Sequence, residues 1–211
     1  MAKTVITIAR HYGSGGRTVG KMLAERLNIP YYDREIIVRA AESSGIDPRM
    51  FADEKLKKIS LRGLLKTGGV DHHNVLQPES AGFTKEENLY ALQANIIRQL
   101  SEESDCVIIG RCADHVLASK PGVCSVFVHA TPAFCLQEAM KVNSLTEREV
   151  MRLIEKTDDY RAKYYKYYTG KNWDDARNYD LSLDSSKLGF EGTCDAIIDY
   201  IRHRQDCELV K

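Results

Sequence analysis

The segment that decides the fold of this chain is Ile6-Thr7-Ile8-Ala9-Arg10-His11-Tyr12-Gly13-Ser14-Gly15-Gly16-Arg17-Thr18. An apolar, β-branched run meets three glycines, and an amphipathic segment follows over residues 18–27. That order predicts a strand, a tight loop and a helix. Backbone N–H groups at the start of a helix favour a bound phosphate, and glycine lets a ligand approach the backbone closely. Residues 13–18 are therefore predicted to cradle a phosphate.

The glycine segment departs from the standard phosphate-loop pattern G-x-x-x-x-G-K-[ST]. With Gly15 as the second glycine of the pattern, Arg10 stands at the first glycine and Gly16 stands at the lysine. Arg17 follows, and Thr18 comes one position late. On the pattern alone, a plain glycine-rich turn fits as well as a phosphate loop. Arg17 is either a substitute cation, since a guanidinium can bind two phosphate oxygens, or a solvated arginine of the first helical turn.

The composition is typical of one globular domain and argues against nucleic acid and membranes as partners. Of 211 residues, 30 are Lys or Arg and 30 are Asp or Glu, so no bulk attraction to nucleic acid is expected. No apolar run approaches the ~20 residues that span a bilayer. The first predicted strand begins close to Met1 and leaves no room for a signal peptide. We therefore expect a cytoplasmic protein.

The six cysteines do not form a disulfide pattern. No Cys-x-x-Cys pair occurs, and the histidines and cysteines lack the spacing of a zinc site. Buried free thiols in a reducing compartment explain these cysteines better. No metal site built by the protein alone is predicted.

Predicted strands alternate with predicted helices, and the strands are almost continuously apolar. This pattern is typical of a three-layer α/β fold, in which helices cover both faces of a parallel sheet. Residues 60–83 are rich in glycine and aperiodic and are predicted to form a long loop. The predicted strands cover residues 5–8, 105–111, 123–129 and 181–183, with a short one within residues 28–33 that ends at Asp33. The predicted helices cover residues 18–27, 34–44, 84–102, 145–168 and 191–204, and two further helices are predicted to begin near residues 47 and 131.

Three short segments directly follow predicted strands and carry polar or glycine residues. They are residues 13–17, Asp33, and the pair Gly110-Arg111. Because ligands of parallel sheets bind at the carboxyl ends of the strands, we expect these segments to converge on one crevice. A glycine nest, a carboxylate and an arginine would then meet there, as a site for a phosphorylated ligand requires.

The end of the long helix is unusual because residues 156–168 contain five tyrosines and four cations. One interpretation is a lid whose cations close over phosphates. The other is an amphipathic helix with its tyrosines on the core and its lysines in water. A nucleic-acid or protein-interaction module is a third hypothesis for residues 160–168, since tyrosines between basic residues can stack on bases. The neutral net charge counts against the third.

Five segments, taken in order, resemble the cytidylate kinase-like family, a branch of the P-loop nucleoside monophosphate kinases. They are Arg10-x-Tyr12-Gly13-Ser14-Gly15-Gly16-Arg17, Tyr31-Tyr32-Asp33, Val107-Ile108-Ile109-Gly110-Arg111-Cys112-Ala113-Asp114, Asp158-x-x-Arg161, and Asn178-Tyr179-Asp180-Leu181 through Ser185-Ser186-Lys187-Leu188. The resemblance runs from residue 5 to about residue 200. It implies a single P-loop kinase domain over residues 1–211, with a helical acceptor-side insertion at about 34–90 and a lid at about 155–178.

The resemblance also implies an activity, namely transfer of the γ-phosphoryl group of ATP, with Mg²⁺, to a nucleoside monophosphate such as CMP or dCMP. Carried over by position, residues 13–18 hold the donor phosphates. Asp33, Arg111 and Asp114 face the acceptor, with Arg111 on its phosphate. Arg161 is the lid cation on the transferring group, next to Asp158. Small nucleotides are thus the implied partners.

The chain lacks two basic residues that cytidylate kinases have. These enzymes carry a lysine where Gly16 stands, and a further lid arginine near Ile154. Arg17, Arg152 and Lys156 are the candidates to supply the missing charge. The alternative function is a non-catalytic nucleotide- or anion-binding protein that retains the kinase fold.

Overall fold

The computed structural model describes residues 3–48 and 86–209 and has a five-stranded parallel sheet at its centre, in the order β2-β3-β1-β4-β5. The strands are β1 Val5–Arg10, β2 Tyr31–Tyr32, β3 Cys106–Ile109, β4 Val123–His129 and β5 Leu181–Asp184. The helices are α1 Gly16–Leu27, α2 Glu35–Ser44, α3 Glu86–Glu103, α4 Ala113–Val116, α5 Pro132–Lys141, α6 Glu147–Thr169 and α7 Ser185–Leu209, with a 3₁₀ turn at Ala176–Asn178.

Helices cover both faces of the sheet, because successive side chains of a strand point to opposite faces. In β3, Cys106 and Ile108 belong to the apolar cluster with α2 and α3. Val107 and Ile109 belong to the cluster with α1 and α7. All four residues are buried, which explains why the strand reads as a continuous apolar run. The predicted three-layer α/β architecture is confirmed.

Several element boundaries differ from the prediction at glycines. α1 begins at Gly16, two residues earlier than predicted, because Gly15 takes the cap position with φ 77°. α7 begins at Ser185 instead of residue 191 and is interrupted at Gly189, whose φ is 67°. α2 ends before Gly45, at φ 70°, as predicted. The predicted loop at residues 60–83, most of the acceptor-side insertion, and the start of the helix predicted from residue 84 lie outside the described residues.

The tyrosines at the end of α6 pack into the protein. Tyr164, Tyr165 and Tyr168 are buried in an aromatic cluster, where the rings of Tyr168 and Tyr90 stack 3.9 Å apart. The lysines between them are exposed. This supports the amphipathic interpretation and leaves these three rings no free face for stacking on bases. No helix in the described part of the chain is long and apolar enough to cross a membrane.

Candidate active site

The glycine turn between β1 and α1 has a backbone that only glycine fits. Gly13 and Gly15 have φ values of 80° and 77°, in the left-handed region. A Cβ atom on Gly13 would lie 2.2 Å from the carbonyl oxygen of Cys135. Between the two glycines, the buried Ser14 hydroxyl donates to the carbonyl of Val128, 2.9 Å away. The hydroxyl of Ser14 therefore holds the turn to β4.

The start of α1 is an uncapped helix N-terminus. No side chain caps it, and its first turn contains no acidic residue. Among the described residues, the amides of Gly16, Arg17 and Thr18 have no hydrogen-bond acceptor. These N–H groups and the helix dipole form a site with an affinity for anions.

A cavity of about 330 Å³, here called the turn cavity, opens in front of these amides. Its lining combines the glycine turn, three arginines, and apolar residues of α5 and α7. The lining includes Arg10, Tyr12, Gly13, Gly15, Gly16, Arg17, Thr18, Ala139, Val142, Arg161 and Phe190. The volume is at the lower end of the range for small-molecule sites.

A second cavity, of about 70 Å³ and here called the tyrosine cavity, lies at the carboxyl ends of β1 and β3. It brings together residues that follow three different strands, as predicted for a parallel sheet. They include Arg10, Arg17, Asp33, Gly110, Arg111 and Asp114, with Tyr160, Arg161, Tyr164 and Tyr165 contributed by α6. The predicted convergence is observed for Arg17, Asp33, Gly110 and Arg111, whereas the glycines of the turn line the turn cavity and not this one.

The loop after β3 places Arg111 and Asp114 through a strained backbone. Gly110, Arg111 and Cys112 have φ values of 66°, 58° and 53°, three left-handed residues in succession. Two of them carry side chains, and each costs about 1–3 kcal/mol in this region. Such conformations persist where the surrounding contacts hold the backbone in place. Here they turn the chain after β3 so that α4 begins at the wall of the tyrosine cavity.

Asp114 is a buried carboxyl group at the wall of the tyrosine cavity. Its side chain accepts a 2.6 Å hydrogen bond from the Tyr165 hydroxyl. Burial raises the pKa of Asp114 to about 6, and the hydrogen bond from Tyr165 opposes this rise only in part. Asp114 is thus half ionised in the range where most carboxyl groups are fully charged.

Three arginines line both cavities and so stand at their junction: Arg10 at the end of β1, Arg17 in the first turn of α1, and Arg161 on α6. Two of them are paired with carboxylates. Arg17 lies 2.8 Å from Asp33, and Arg161 lies 2.9 Å from Asp158. These guanidiniums and the uncapped amides at the start of α1 favour a polyanion, and Glu138 is the carboxylate that lines the turn cavity.

Asp158 attaches α6 to the glycine turn. Both of its oxygens accept from the Tyr12 amide, at 2.8 and 3.1 Å, and Oδ1 also accepts from Arg161. Arg161 in turn donates to the Arg10 carbonyl at 3.0 Å. Burial raises the pKa of Asp158, an effect that the Arg161 charge opposes. Asp158 lines neither cavity and holds Arg161 in position through their hydrogen bond.

The structure separates the candidates for the missing lysine. Arg152 and Lys156 are exposed and line neither cavity, whereas Arg17 lines both. The sequence interpretation missed Arg10, which lines both cavities, and Trp173, which lines the tyrosine cavity. For Arg10 a signal existed, because it ends a strand whose carboxyl end faces the crevice. For Trp173 no comparable signal existed.

The family implies Mg²⁺, and the described residues fit a metal that arrives with its ligand. They contain no group of three or more side chains that could hold a metal ion alone. Magnesium usually takes one or two protein oxygens and completes its shell with water and phosphate. Thr18 and Asp33 line a common shallow cavity beside the turn and supply oxygens of that kind.

Comparison with known proteins gives a consistent result over nearly the whole chain. The model of the cytidylate kinase-like family matches residues 5–187. A curated cytidylate kinase from Methanopyrus kandleri is 25% identical over 216 residues, covering 96% of both chains. A solved structure of an uncharacterized protein from Eubacterium ventriosum is 26% identical, covers 95% of this chain and 99% of its own, and superimposes with a TM-score of 0.69.

Shikimate kinases share the fold at much lower identity. The enzyme from Bacteroides thetaiotaomicron is 14% identical, with a TM-score of 0.52 over 96% of this chain and 98% of its own. That likeness establishes the P-loop kinase fold and nothing about the substrate. Because the family model spans residues 5–187, which include the glycine turn and all five strands, the chain belongs to the cytidylate kinase-like family.

Proposed function

We propose that the protein transfers the γ-phosphoryl group of ATP to a nucleoside monophosphate, with CMP and dCMP as the first acceptors to test. One observation carries this proposal. Arg10, Arg17 and Arg161 stand where the turn cavity meets the tyrosine cavity. A phosphoryl group that moves between ligands in the two cavities would pass these three charges. Phosphoryl transfer needs little beyond positioning and charge stabilisation, which such a junction supplies.

The two cavities divide the work of donor and acceptor. The uncapped amides of residues 16–18 would hold donor phosphates, as helix N-termini do. In the tyrosine cavity, Arg111 would bind the acceptor phosphate, with Asp33 and Asp114 facing the acceptor. Mg²⁺, when bound, would neutralise charge on the donor phosphates, and Thr18 and Asp33 are the residues that would hold it.

The lid residue Arg161 would stabilise charge on the transferring group. Its side chain is 19% exposed and is held by Asp158 and by the Arg10 carbonyl, so its position is largely fixed before a ligand arrives. Fixed donors cost no reorganisation during the reaction. The tyrosine cavity, at about 70 Å³, is smaller than a nucleotide site. Entry of the acceptor therefore requires a shift of the tyrosines that line this cavity, within the proposed lid at about residues 155–178, while Arg161 keeps its contacts with Asp158 and the Arg10 carbonyl.

The test is a kinase assay with the purified protein, ATP, Mg²⁺ and a panel of nucleoside monophosphates, following ADP. Arg161→Ala and Arg17→Ala are each expected to lower kcat at least ~10²-fold. Arg202→Ala is the matched control, because Arg202 is 72% exposed on α7 and lines neither cavity. The absence of turnover with every acceptor would refute the proposal, and unchanged rates in both variants would show that the chemistry lies elsewhere.

A second candidate function is a nucleotide or anion sensor without catalysis. The observation that favours it is that the standard lysine position holds Gly16, while Arg17 and Arg161 already have carboxylate partners. A sensor would be stabilised by ATP or ADP according to RT ln(1 + [L]/Kd), with no product formed. Thermal unfolding with each nucleotide, run beside the ADP assay, separates the two functions.

A further inference from the structure

The side chain of Arg10 runs through a channel between two glycines. A Cβ atom on Gly16 would lie 2.5 Å from the Cβ of Arg10, and a Cβ atom on Gly110 would lie 2.3 Å from its Nη1. Both distances are far below van der Waals contact, so any side chain at either position would displace Arg10. The stem of Arg10 therefore occupies the space where the side chain of the standard lysine would begin.

Arg10 differs from the other two arginines of the junction in its partners. Arg17 and Arg161 are each paired with a carboxylate. The Nε atom of Arg10 is buried and has no hydrogen-bond partner in the described part of the chain. A buried donor without a partner is costly, and more so on a charged group. Burial, reinforced by the charge of Arg161, lowers the pKa of Arg10 to about 9, so the guanidinium is still charged at neutral pH.

We propose that Arg10 takes over the task of the P-loop lysine and binds the phosphate chain of the ligand at the junction of the two cavities. This inference rests on the proposed function and names the residue that supplies the missing charge. The cation comes from the end of β1 instead of the start of α1. A glycine at position 16 then goes together with an arginine at position 10. The site has room for the Arg10 side chain or for a lysine side chain at position 16, but not for both.

The first experiment measures binding of inorganic tripolyphosphate by titration calorimetry and involves no turnover. Arg10→Met removes the charge and keeps an unbranched stem. It is expected to raise the Kd at least ~10-fold, the typical effect of losing hydrogen bonds to a charged group. The thermal midpoint of the ligand-free protein is expected to hold or rise, since a buried guanidinium is gone whose Nε has no hydrogen-bond partner among the described residues. Arg202→Met is the control and should bind like the parent protein.

The second experiment exchanges the two positions. Gly16→Lys alone is expected to lower the thermal midpoint and weaken tripolyphosphate binding, because its Cβ would collide with the Arg10 stem. The double variant Arg10→Gly/Gly16→Lys restores the first glycine and the lysine of the standard pattern. It is expected to bind tripolyphosphate within ~10-fold of the parent protein. Arg10→Lys, which keeps the charge, should lie between the parent protein and Arg10→Met.

The outcomes separate this inference from the proposed function. If Arg10→Met binds tripolyphosphate like the parent protein, or if the parent protein does not bind it, the inference is overturned. It is also overturned if the double variant binds no better than Gly16→Lys alone. If binding depends on Arg10 while no acceptor is phosphorylated, the inference stands and the kinase function fails. Should Arg10→Met fail to fold, the double variant and Arg10→Lys still decide the question.

Discussion

The buried carboxyl group of Asp114 makes the stability of the protein depend on pH in a defined direction. Burial raises its pKa from 3.8 to about 6. The unfolded chain therefore releases this proton near pH 3.8, whereas the folded protein keeps it to about pH 6. Between these values the folded state binds more protons than the unfolded state. The free energy of unfolding consequently falls as the pH rises through this window.

The size of the effect follows from the two pKa values. Each tenfold change in the ionisation constant corresponds to about 1.4 kcal/mol, so the rise of the pKa of Asp114 to about 6 corresponds to ~3 kcal/mol. That cost is fully present at pH 7.5 and absent below pH 3.8. Asp114→Asn cannot ionise and still offers an oxygen to the Tyr165 hydroxyl. It is expected to be more stable than the parent protein by up to ~3 kcal/mol at pH 7.5, with little difference at pH 4.

Urea unfolding at pH 4, 5, 6 and 7.5 measures this difference. Asp199→Asn is the control, because Asp199 is 63% exposed on α7 and its ion pair with Arg202 lies at the surface, where such pairs contribute little. If Asp114 faces the acceptor, the KM of Asp114→Asn for the acceptor should be at least ~10-fold higher than that of the parent protein. Substitutions that stabilise a protein at a binding site commonly reduce its function in this way. Equal stability at pH 7.5, or a parallel pH profile, would refute the reasoning.

Two further predictions concern the glycine turn. Asp158→Ala removes the acceptor of the Tyr12 amide and the carboxylate that pairs with Arg161, so the free energy of unfolding should fall by ~2–4 kcal/mol in urea titration. Asp159→Ala is the control; it loses only a surface ion pair and should lower the free energy of unfolding by less than ~1 kcal/mol. If both variants lose the same free energy of unfolding, Asp158 does not attach α6 to the glycine turn as described. Gly13→Ala should cost at least ~3 kcal/mol, because its Cβ would strike a backbone carbonyl. Gly45→Ala, at a similar φ of 70° but with no described atom within 4 Å of the added Cβ, should cost only ~1–2 kcal/mol. Calorimetric melting that ranks the two variants the other way would contradict the crowding argument.

Much of the architecture could be predicted from the sequence because the signals were local. Almost continuous apolar runs such as residues 106–109 indicate strands buried on both faces, and the parallel sheet with two helical layers is what the structure has. The convergence of Arg17, Asp33 and Arg111 followed from a general rule on where parallel strands end. The helix boundaries at Gly16 and Gly189 were missed, because a left-handed glycine can open or interrupt a helix without a change in the apolar pattern.

The charges of the site could be predicted only in part. Arg17 and Arg161 were identified from the pattern and the resemblance, and both lie at the junction of the cavities. Their pairing with Asp33 and Asp158 was not predictable, since one pair joins α1 to the end of β2 and the other brings α6 onto the turn. The importance of Arg10 was hidden by the pattern itself, which treats its position as a missing glycine.

The amino-acid sequence by itself determined the five strands, most of the helices, the glycine turn and the family, because periodicity and short motifs are properties of neighbouring residues. Only the tertiary structure decided that the Nε of Arg10 has no hydrogen-bond partner in the described part of the chain. Gly16, at the start of α1, and Gly110, after β3, both pack against Arg10. The space between these two glycines holds a single basic side chain. The physical reason is excluded volume. Two side chains cannot share that space. A sequence pattern describes neighbouring residues of one segment, and it cannot show that side chains from separate segments would collide.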